Sequence, residues 1–153
     1  MAELSTIEGV WPTTDEVSVG SGRATAQSAP YEAAVRGPYP KTDLQARTFT
    51  AVVNGERTTG VADAVGEEDT AADAKYVKNW ARSIRNPNSP IGKKPWAIEE
   101  QERMVSQAGK YEEGFKGGVV YHTNSRELAL HYYRVFREAG LTKFRFVITP
   151  ARR

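Results

Sequence analysis

Residues 61–77 read VADAVGEEDTAADAKYV and contain two short apolar runs on either side of an acidic segment. The runs mix small and β-branched residues, which predicts one strand ending at Val65 and another starting at Thr70. The GEED segment between them is rich in turn-forming residues and predicts a hairpin centred on Glu68. We therefore expect two antiparallel strands here, and the rest of the fold is interpreted around them.

This hairpin brings three charged side chains together. A turn centred on Glu68 puts Asp63 and Asp73 opposite each other, with Cβ atoms about 4.5–5.5 Å apart. Side chains alternate along a strand, so Asp73 and Lys75 share one face. We therefore expect two carboxylates and one ammonium group on the same patch of the sheet.

Two carboxylates facing each other repel, and a divalent cation is one way to balance them. Mg²⁺ prefers oxygen ligands and is typically held by one or two carboxylates together with water and phosphate oxygens. Lys75 is then placed to stabilise negative charge on an attacking water or on a phosphate, and Glu32 can approach the metal from the first helix. The alternative is that both Asp side chains face solvent and Lys75 merely pairs with one of them, since an acid-x-Lys triplet is expected about once by chance in a chain of this composition.

The remaining chain alternates between helical and strand patterns. Apolar residues at three- and four-residue steps predict helices, alternating β-branched residues predict strands, and Asn54-Gly55 is a strong hairpin signal. Asn124 is the expected N-cap of the last helix, with Glu127 completing a capping box, and Gly140 is its expected end. The predicted elements are a helix at 28–37, strands at 47–53, 56–65 and 70–77, a helix at 96–115, a strand at 119–122, a helix at 124–140 and a strand at 144–148.

These elements predict an α/β chain with a mixed sheet. The first three strands should form an antiparallel meander, whereas the strands at 119–122 and 144–148 are joined by a helix and should be parallel neighbours. Helices should cover both sides of the sheet. Residues 1–26 lack sustained periodicity and are predicted to be a flexible tail or linker, which leaves residues 27–153 as one domain.

Composition excludes several classes of protein. The chain has 153 residues, no Cys and only two His, so disulfides, thiolate catalysis and Cys-ligated zinc are excluded, and the spacing of His122 and His131 matches no metal motif. No apolar run approaches the roughly 18 residues of a membrane span, and the N-terminal residues do not resemble a secretory signal. No phosphate-binding Gly-rich motif is present.

Charge is divided unevenly along the chain. Residues 1–75 carry 6 Lys and Arg against 12 Asp and Glu, whereas residues 76–153 carry 15 against 7. No acid lies between Tyr76 and Ile98, and the cations there are interleaved with aromatic residues, a pattern typical of nucleic-acid binding. The alternative is an ordinary solvated loop. The candidate nucleic-acid contacts in this basic segment are Lys78, Trp80, Arg82, Arg85, Lys93 and Lys94.

At its candidate acids and at Lys75, the chain resembles the restriction-endonuclease superfamily, the PD-(D/E)xK nucleases. Asp63 matches the first Asp of the motif, Asp73 its second acid, Lys75 its Lys and Glu32 the first-helix Glu of many members, whereas Ala62 replaces the motif's Pro. Over residues 27 to 150 the chain is similar to toxin domains of this fold at the C-termini of bacterial polymorphic toxins and type VI secretion effectors.

The resemblance implies an α-β-β-β-α-β core, here with an additional C-terminal helix and strand. It implies a Mg²⁺- or Mn²⁺-dependent DNase with catalytic Asp63, Asp73, Lys75 and Glu32. It also implies Gln101 or Gln107 as an accessory site residue, unless these are only solvated helix positions.

The same resemblance implies partners and a location. The expected partners are DNA, an immunity protein with an acidic face, and a larger carrier or secretion protein upstream; no membrane is expected. The domain would be delivered by a dedicated system into the cytoplasm of a target cell. Two alternatives stay open: a housekeeping repair or junction nuclease of the same fold, and a catalytically inactive nucleic-acid-binding domain.

Overall fold

A computed structural model describes residues 10–12, 17–18, 28–41 and 43–152 of the chain. Within these residues the protein has four α-helices, nine strands and three short 3₁₀ turns. The helices are α1 (Ser28–Arg36), α2 (Leu44–Arg47), α3 (Pro95–Gly114) and α4 (Arg126–Glu138). The strands are β1 (Val10–Pro12), β2 (Val17–Ser18), β3 (Thr48–Val53), β4 (Glu56–Val61), β5 (Ala64–Gly66), β6 (Thr70–Lys75), β7 (Val119–Thr123), β8 (Phe144–Ile148) and β9 (Ala151–Arg152). The 3₁₀ turns are Glu67–Asp69, Trp80–Arg82 and Ile91–Lys93.

A five-stranded mixed sheet organises the molecule, in the order β1-β8-β7-β6-β5. Strand β5 is antiparallel to β6, and the other neighbours are parallel. The parallel pairing of β7 with β8 across the α4 connection was expected, because a helical crossover returns the chain in the same direction. The predicted mixed α/β architecture is therefore confirmed.

Helices cover both faces of this sheet. On one face α3 and α4 bury a largely aromatic core, and on the other α1 packs Tyr31 and Val35 against Ala74 of β6. Tyr121 stacks on Phe146 across the β7–β8 pair, with ring centroids 5.3 Å apart. The core of the first face is formed by Met104, Ala108, Tyr111, Phe115, Tyr121, Leu128, Tyr132, Phe136 and Phe146.

The β5–β6 hairpin has the register predicted from the sequence. Ala64 pairs with Ala72 and Gly66 with Thr70, which centres the turn on Glu68. Glu68 has a positive φ of 60°, as a tight turn of this kind requires. Asp63 was expected on a strand, but it lies one residue before β5, at a bend in the chain.

The predicted three-stranded meander is wrong. The strand expected at 56–65 ends at Val61, and β3 and β4 form a separate two-stranded sheet around the Asn54-Gly55 turn. At the break, Ala62 is fully buried, and the Arg47 backbone and guanidinium bind its N–H and its carbonyl. The backbone polar groups at this point are thus satisfied outside the sheet. Phe49 of β3 instead packs on Phe115 beside α3, with ring centroids 4.9 Å apart.

The expected N-cap of the last helix also differs from the structure. Ser125, not Asn124, caps α4 by accepting a hydrogen bond from the Leu128 N–H at 3.0 Å. The Asn124 side chain instead bonds the backbone N–H and carbonyl of Val77, so it ties the chain after β6 to the end of β7.

Within the segment predicted to be a tail, Val10–Pro12 pairs with β8 and Val17–Ser18 pairs with β9. The rest of residues 1–26 lies outside the described part of the chain. None of the described helices is long and apolar enough to cross a membrane.

Candidate metal and nuclease site

Asp73 and Lys75 form a buried ion pair at the end of β6. Lys75 Nζ lies 2.9 Å from Asp73 Oδ1, and the two side chains are 13% and 3% exposed. The strand's two-residue period puts both on the face that α3 covers, as expected. An ion pair this well shielded from water is strongly coupled, because little solvent screens it.

Asp63 joins this pair from the bend before β5. Its Oδ2 accepts a hydrogen bond from the Ala74 N–H at 2.8 Å, which places the carboxylate beside Asp73. Arg36 of α1 fixes the bend by donating from Nε to the Asp63 carbonyl at 2.7 Å. The predicted juxtaposition of the two Asp side chains is therefore present, although side-chain contacts and not a strand ladder hold Asp63.

The charges around Asp63 change the pKa of its carboxyl group. Burial and, second to it, the Asp73 charge together raise the pKa of Asp63 to about 6, while the Ala74 hydrogen bond opposes the change. Glu32 on α1 adds a smaller contribution that also raises the pKa, and Lys75 lowers it. Glu32 is thus close enough to act on Asp63. Among the described residues, however, no three His, Cys, Asp or Glu side chains form a ready-made metal cluster.

Tyr111 of α3 completes the surroundings of Asp73. Its hydroxyl donates to Asp73 Oδ2 at 2.5 Å, whereas Oδ1 is buried and has no hydrogen-bond donor, only the ion contact with Lys75. Tyr121 is the cross-strand neighbour of Asp73 on β7, and burial together with the Asp73 charge raises its pKa. The sequence identifies Tyr111 only as part of an apolar stripe. A tyrosine at a core-facing helix position needs a hydrogen-bond partner for its hydroxyl, and that requirement is the signal that could have identified Tyr111.

Replacing Tyr111 by Phe should destabilise the fold. The change leaves Asp73 Oδ2 buried without its donor, which costs about 1–3 kcal/mol. Urea denaturation of Tyr111→Phe should show this loss, whereas Tyr133→Phe should change stability little because its hydroxyl binds Arg137 at an exposed site. Equal effects of the two substitutions would show that the Tyr111–Asp73 contact contributes nothing specific.

The two glutamines implied by the resemblance have different surroundings. Gln101 Nε2 donates to the carbonyls of Ile84 and Gly92 at 2.8 and 2.9 Å. It therefore fixes the backbone of the basic segment and does not contact the acids. Gln107 Oε1 lies 3.5 Å from the Tyr121 hydroxyl and reaches Asp73 only through that ring. The structure therefore brings Gln107, but not Gln101, to the edge of the site.

The basic segment is a structured loop with exposed cations. Lys78, Arg82, Lys93 and Lys94 are exposed and Arg85 is half-buried. Buried Asn86 and Ser89 bond its backbone, and a Cβ on Gly92 would lie 1.8 Å from the Asn86 carbonyl oxygen, so only Gly fits there. Trp80 is half-buried, with its ring 5.6 Å from that of His131. The exposed aromatic ring of the segment is instead Trp96, at 53%.

His122 belongs to a separate hydrogen-bond network on the α1 side of the sheet. Its Nε2 lies 2.5 Å from the Tyr39 hydroxyl, its Nδ1 lies 3.0 Å from Thr149 Oγ1, and Thr149 O accepts from Tyr31. Burial, together with Arg145, lowers the pKa of His122 to about 4, and Asp73 opposes this. The imidazole is thus neutral at pH 7 and serves the fold.

His122 should make the protein sensitive to acid. The unfolded chain takes up this proton near pH 6.5 and the folded protein only near pH 4, so the imidazole's contribution to stability falls as pH drops through that range, by up to about 3 kcal/mol. Urea denaturation at pH 7 and pH 4 should show a smaller acid loss for His122→Gln than for the wild type. His131→Gln is the comparison: burial lowers the pKa of His131 too, but less than that of His122, so this variant should recover less of the acid loss. An identical loss in both variants would contradict the assignment.

No protein-family model, curated protein or solved structure matches this chain.

Proposed function

We propose that the protein is a metal-dependent nuclease, a DNase of the restriction-endonuclease type that acts as an antibacterial toxin. The observation that carries the proposal is the pair of neighbouring carboxylates, Asp63 and Asp73, beside the buried Lys75 ammonium. The α1, β5, β6, α3 and β7 elements around them follow the order of the α-β-β-β-α-β core with one sheet strand fewer, because β3 and β4 form a separate sheet. The resemblance described above supports the same activity.

The residues present fit a hard divalent cation. Every candidate ligand atom is a carboxylate oxygen, and the buried Asp73 Oδ1 has only the Lys75 ammonium, at 2.9 Å, as its partner. Two carboxylates are sufficient for Mg²⁺ or Mn²⁺, which fill their remaining positions with water and phosphate oxygens. When bound, such an ion lowers the pKa of a water molecule and polarises the phosphate.

The chain's own residues have distinct roles in this proposal. Asp63 and Asp73 hold the metal, with assistance from Glu32, and Tyr111 orients Asp73 by occupying its Oδ2. Lys75 stabilises negative charge on the attacking water or on the pentacovalent phosphate. The exposed cations of the basic segment hold the phosphate backbone without reading its sequence, because contacts to phosphates carry no base information.

The biological setting follows from the same proposal. A toxin of this kind is secreted by a dedicated system, as part of or together with a larger carrier, and acts in the cytoplasm of the target cell. An immunity protein with an acidic face would cover the basic segment and exclude DNA, with fast electrostatically steered association. Charge reversal at Lys93 and Lys94 should slow that association, and unchanged binding would count against this surface.

Cleavage assays with purified protein test the activity directly. Plasmid DNA and an RNA substrate are incubated with Mg²⁺, with Mn²⁺ and with EDTA. We expect metal-dependent nicking or degradation of DNA that is lost in Lys75→Ala and retained in Lys41→Ala, which removes an exposed cation. Intact DNA and RNA under every condition would overturn the nuclease assignment in favour of an inactive binding domain.

A further inference from the structure

A second charged site lies at the other end of the sheet, where β6, β7 and β8 begin. It is a groove of about 840 Å³. Ala71 lines it, and Asp73 follows two residues later along β6, about 7 Å away, but Asp63, Asp73 and Lys75 do not line the groove. The groove is therefore distinct from the Asp63–Asp73 site. Its charged and aromatic lining includes Lys116, Arg137, Lys143, Arg145, Tyr39 and Tyr133.

The groove gathers several cations, and three of them form no ion pair with another described residue. Four cations line it against two carboxylates, Glu67 and Glu68. In the described part of the chain no carboxylate lies within ion-pair distance of Lys116, Arg137 or Lys143. Like charges held together in this way repel, and an anion between them removes the repulsion.

The contacts of these cations fix their positions without cancelling their charge. Lys143 Nζ donates to the carbonyls of Phe115 and Lys116 at 3.3 and 3.4 Å. Arg137 donates to the Tyr133 hydroxyl at 3.2 Å and lies 5.9 Å from the centre of that ring. These side-chain partners are neutral, whereas the carboxylates of Asp69 and Glu112 accept from the backbone N–H groups of Lys116 and Lys143 at 2.9 and 3.2 Å, beside the groove. The side-chain cations themselves stay positioned and available to a ligand.

Two aromatic rings complement the charges. Tyr133 lies under Arg137, and Tyr39 is held in place by its hydrogen bond to His122. Cations beside aromatic faces are typical of sites that bind a phosphate together with a base. The volume lies within the range of about 300–1,000 Å³ that small-molecule sites occupy and is too small for a folded protein domain.

We propose that this groove binds a phosphate-bearing nucleotide unit, with Lys116, Arg137, Lys143 and Arg145 around the phosphates and a tyrosine ring against the base. The unit is either a free nucleoside polyphosphate or the end of a nucleic-acid strand, since both offer the same phosphates and base. The site does not depend on metal binding or catalysis at Asp63 and Asp73.

Isothermal titration calorimetry of the full chain in EDTA tests the site, with sodium tripolyphosphate, ATP and a 5′-phosphorylated single-stranded DNA octamer as probes. Lys116→Glu and Arg137→Glu should each weaken binding about tenfold or more, which is the loss expected for one charge-assisted contact. Arg57→Glu reverses an exposed charge on the β3–β4 hairpin and should bind like the wild type. Because Lys116 is exposed, its substitution should leave the thermal unfolding curve unchanged.

The relative affinities of the probes identify the ligand. Tighter binding of the octamer than of ATP identifies a nucleic-acid end as the ligand, and the reverse order identifies a free nucleotide. Retention of binding in an Asp63→Asn, Asp73→Asn double variant supports a site separate from the acids, whether or not the protein is a nuclease. Absence of binding to all three probes, equal affinity in Lys116→Glu and the wild type, or equally tight binding of poly-glutamate would overturn the proposal.

Discussion

Asp73→Asn should reduce metal-dependent DNA cleavage by about 100- to 1,000-fold, which is the typical loss when one electrostatic group of an active site is removed. The amide keeps the size of the side chain and can still receive the Tyr111 hydroxyl, but it loses the charge that attracts a cation. Initial rates of plasmid nicking at saturating Mg²⁺ measure the effect. Of the site residues, Asp73 should give the largest loss because it contacts both Lys75 and Tyr111.

The matched control for this change is Glu113→Gln, an exposed carboxylate on α3. It removes the same charge from an exposed position and should leave the nicking rate unchanged. Thermal unfolding of both variants separates loss of activity from loss of fold. A folded Asp73→Asn protein that cleaves at the wild-type rate would remove Asp73 from the catalytic site.

Asp63→Asn should stabilise the protein at neutral pH in the absence of metal. The folded-state pKa of Asp63 is about 6 against an ordinary value of 3.8, so the protonated acid is favoured by the fold. Its contribution to stability is present below pH 4 and is lost as pH rises through 6, which costs the wild type about 3 kcal/mol at pH 7.5. The Asn variant does not titrate and escapes this cost.

Urea denaturation of both proteins at pH 4 and pH 7.5 in EDTA measures the difference. The advantage of Asp63→Asn should be larger at pH 7.5, and exposed Asp43→Asn provides the control. The comparison between variants is essential, because His122 changes stability in the opposite direction over the same pH range. Adding Mg²⁺ should stabilise the wild type and not Asp63→Asn. An advantage independent of pH would contradict the raised pKa of Asp63.

A cost of this size at one residue is typical of functional sites. Two neighbouring carboxylates and the buried Lys75 are less favourable for folding than apolar residues of similar volume would be. Substitutions that relieve such an arrangement commonly raise stability and abolish activity. Opposite effects of Asp63→Asn on stability and on cleavage would therefore support the proposed site.

The sequence predicted the hairpin that carries the site because its signals are local. Turn residues at GEED centred the reversal on Glu68, and the two-residue period put Asp73 and Lys75 on one face. Both statements depend on residues fewer than about a dozen positions apart. The helix at 95–114 and the strand at 144–148 were predictable for the same reason.

The wrong predictions share another cause: contacts with residues distant in sequence override the local pattern. The meander was wrong because Arg47 satisfies the backbone of Ala62 and α3 offers Phe49 a better packing partner than the sheet does. Asn124 and Ser125 are both good caps, and the backbone of Val77 decides between them by engaging Asn124. No local pattern contains that information.

By itself, the sequence determined the mixed α/β class, the β5–β6 register and the placement of Asp73 and Lys75 on one face, because turn chemistry and side-chain alternation act between near neighbours. Only the tertiary structure decided that Asp63 reaches the pair from a bend, that Tyr111 binds the second oxygen of Asp73, and that four cations meet at the opposite end of the sheet. The Arg36–Asp63 bond that fixes the bend spans 27 positions and the Tyr111–Asp73 bond spans 38, while the four cations come from three separate segments. Their positions depend on how helices and strands pack, which periodicity along one segment does not specify.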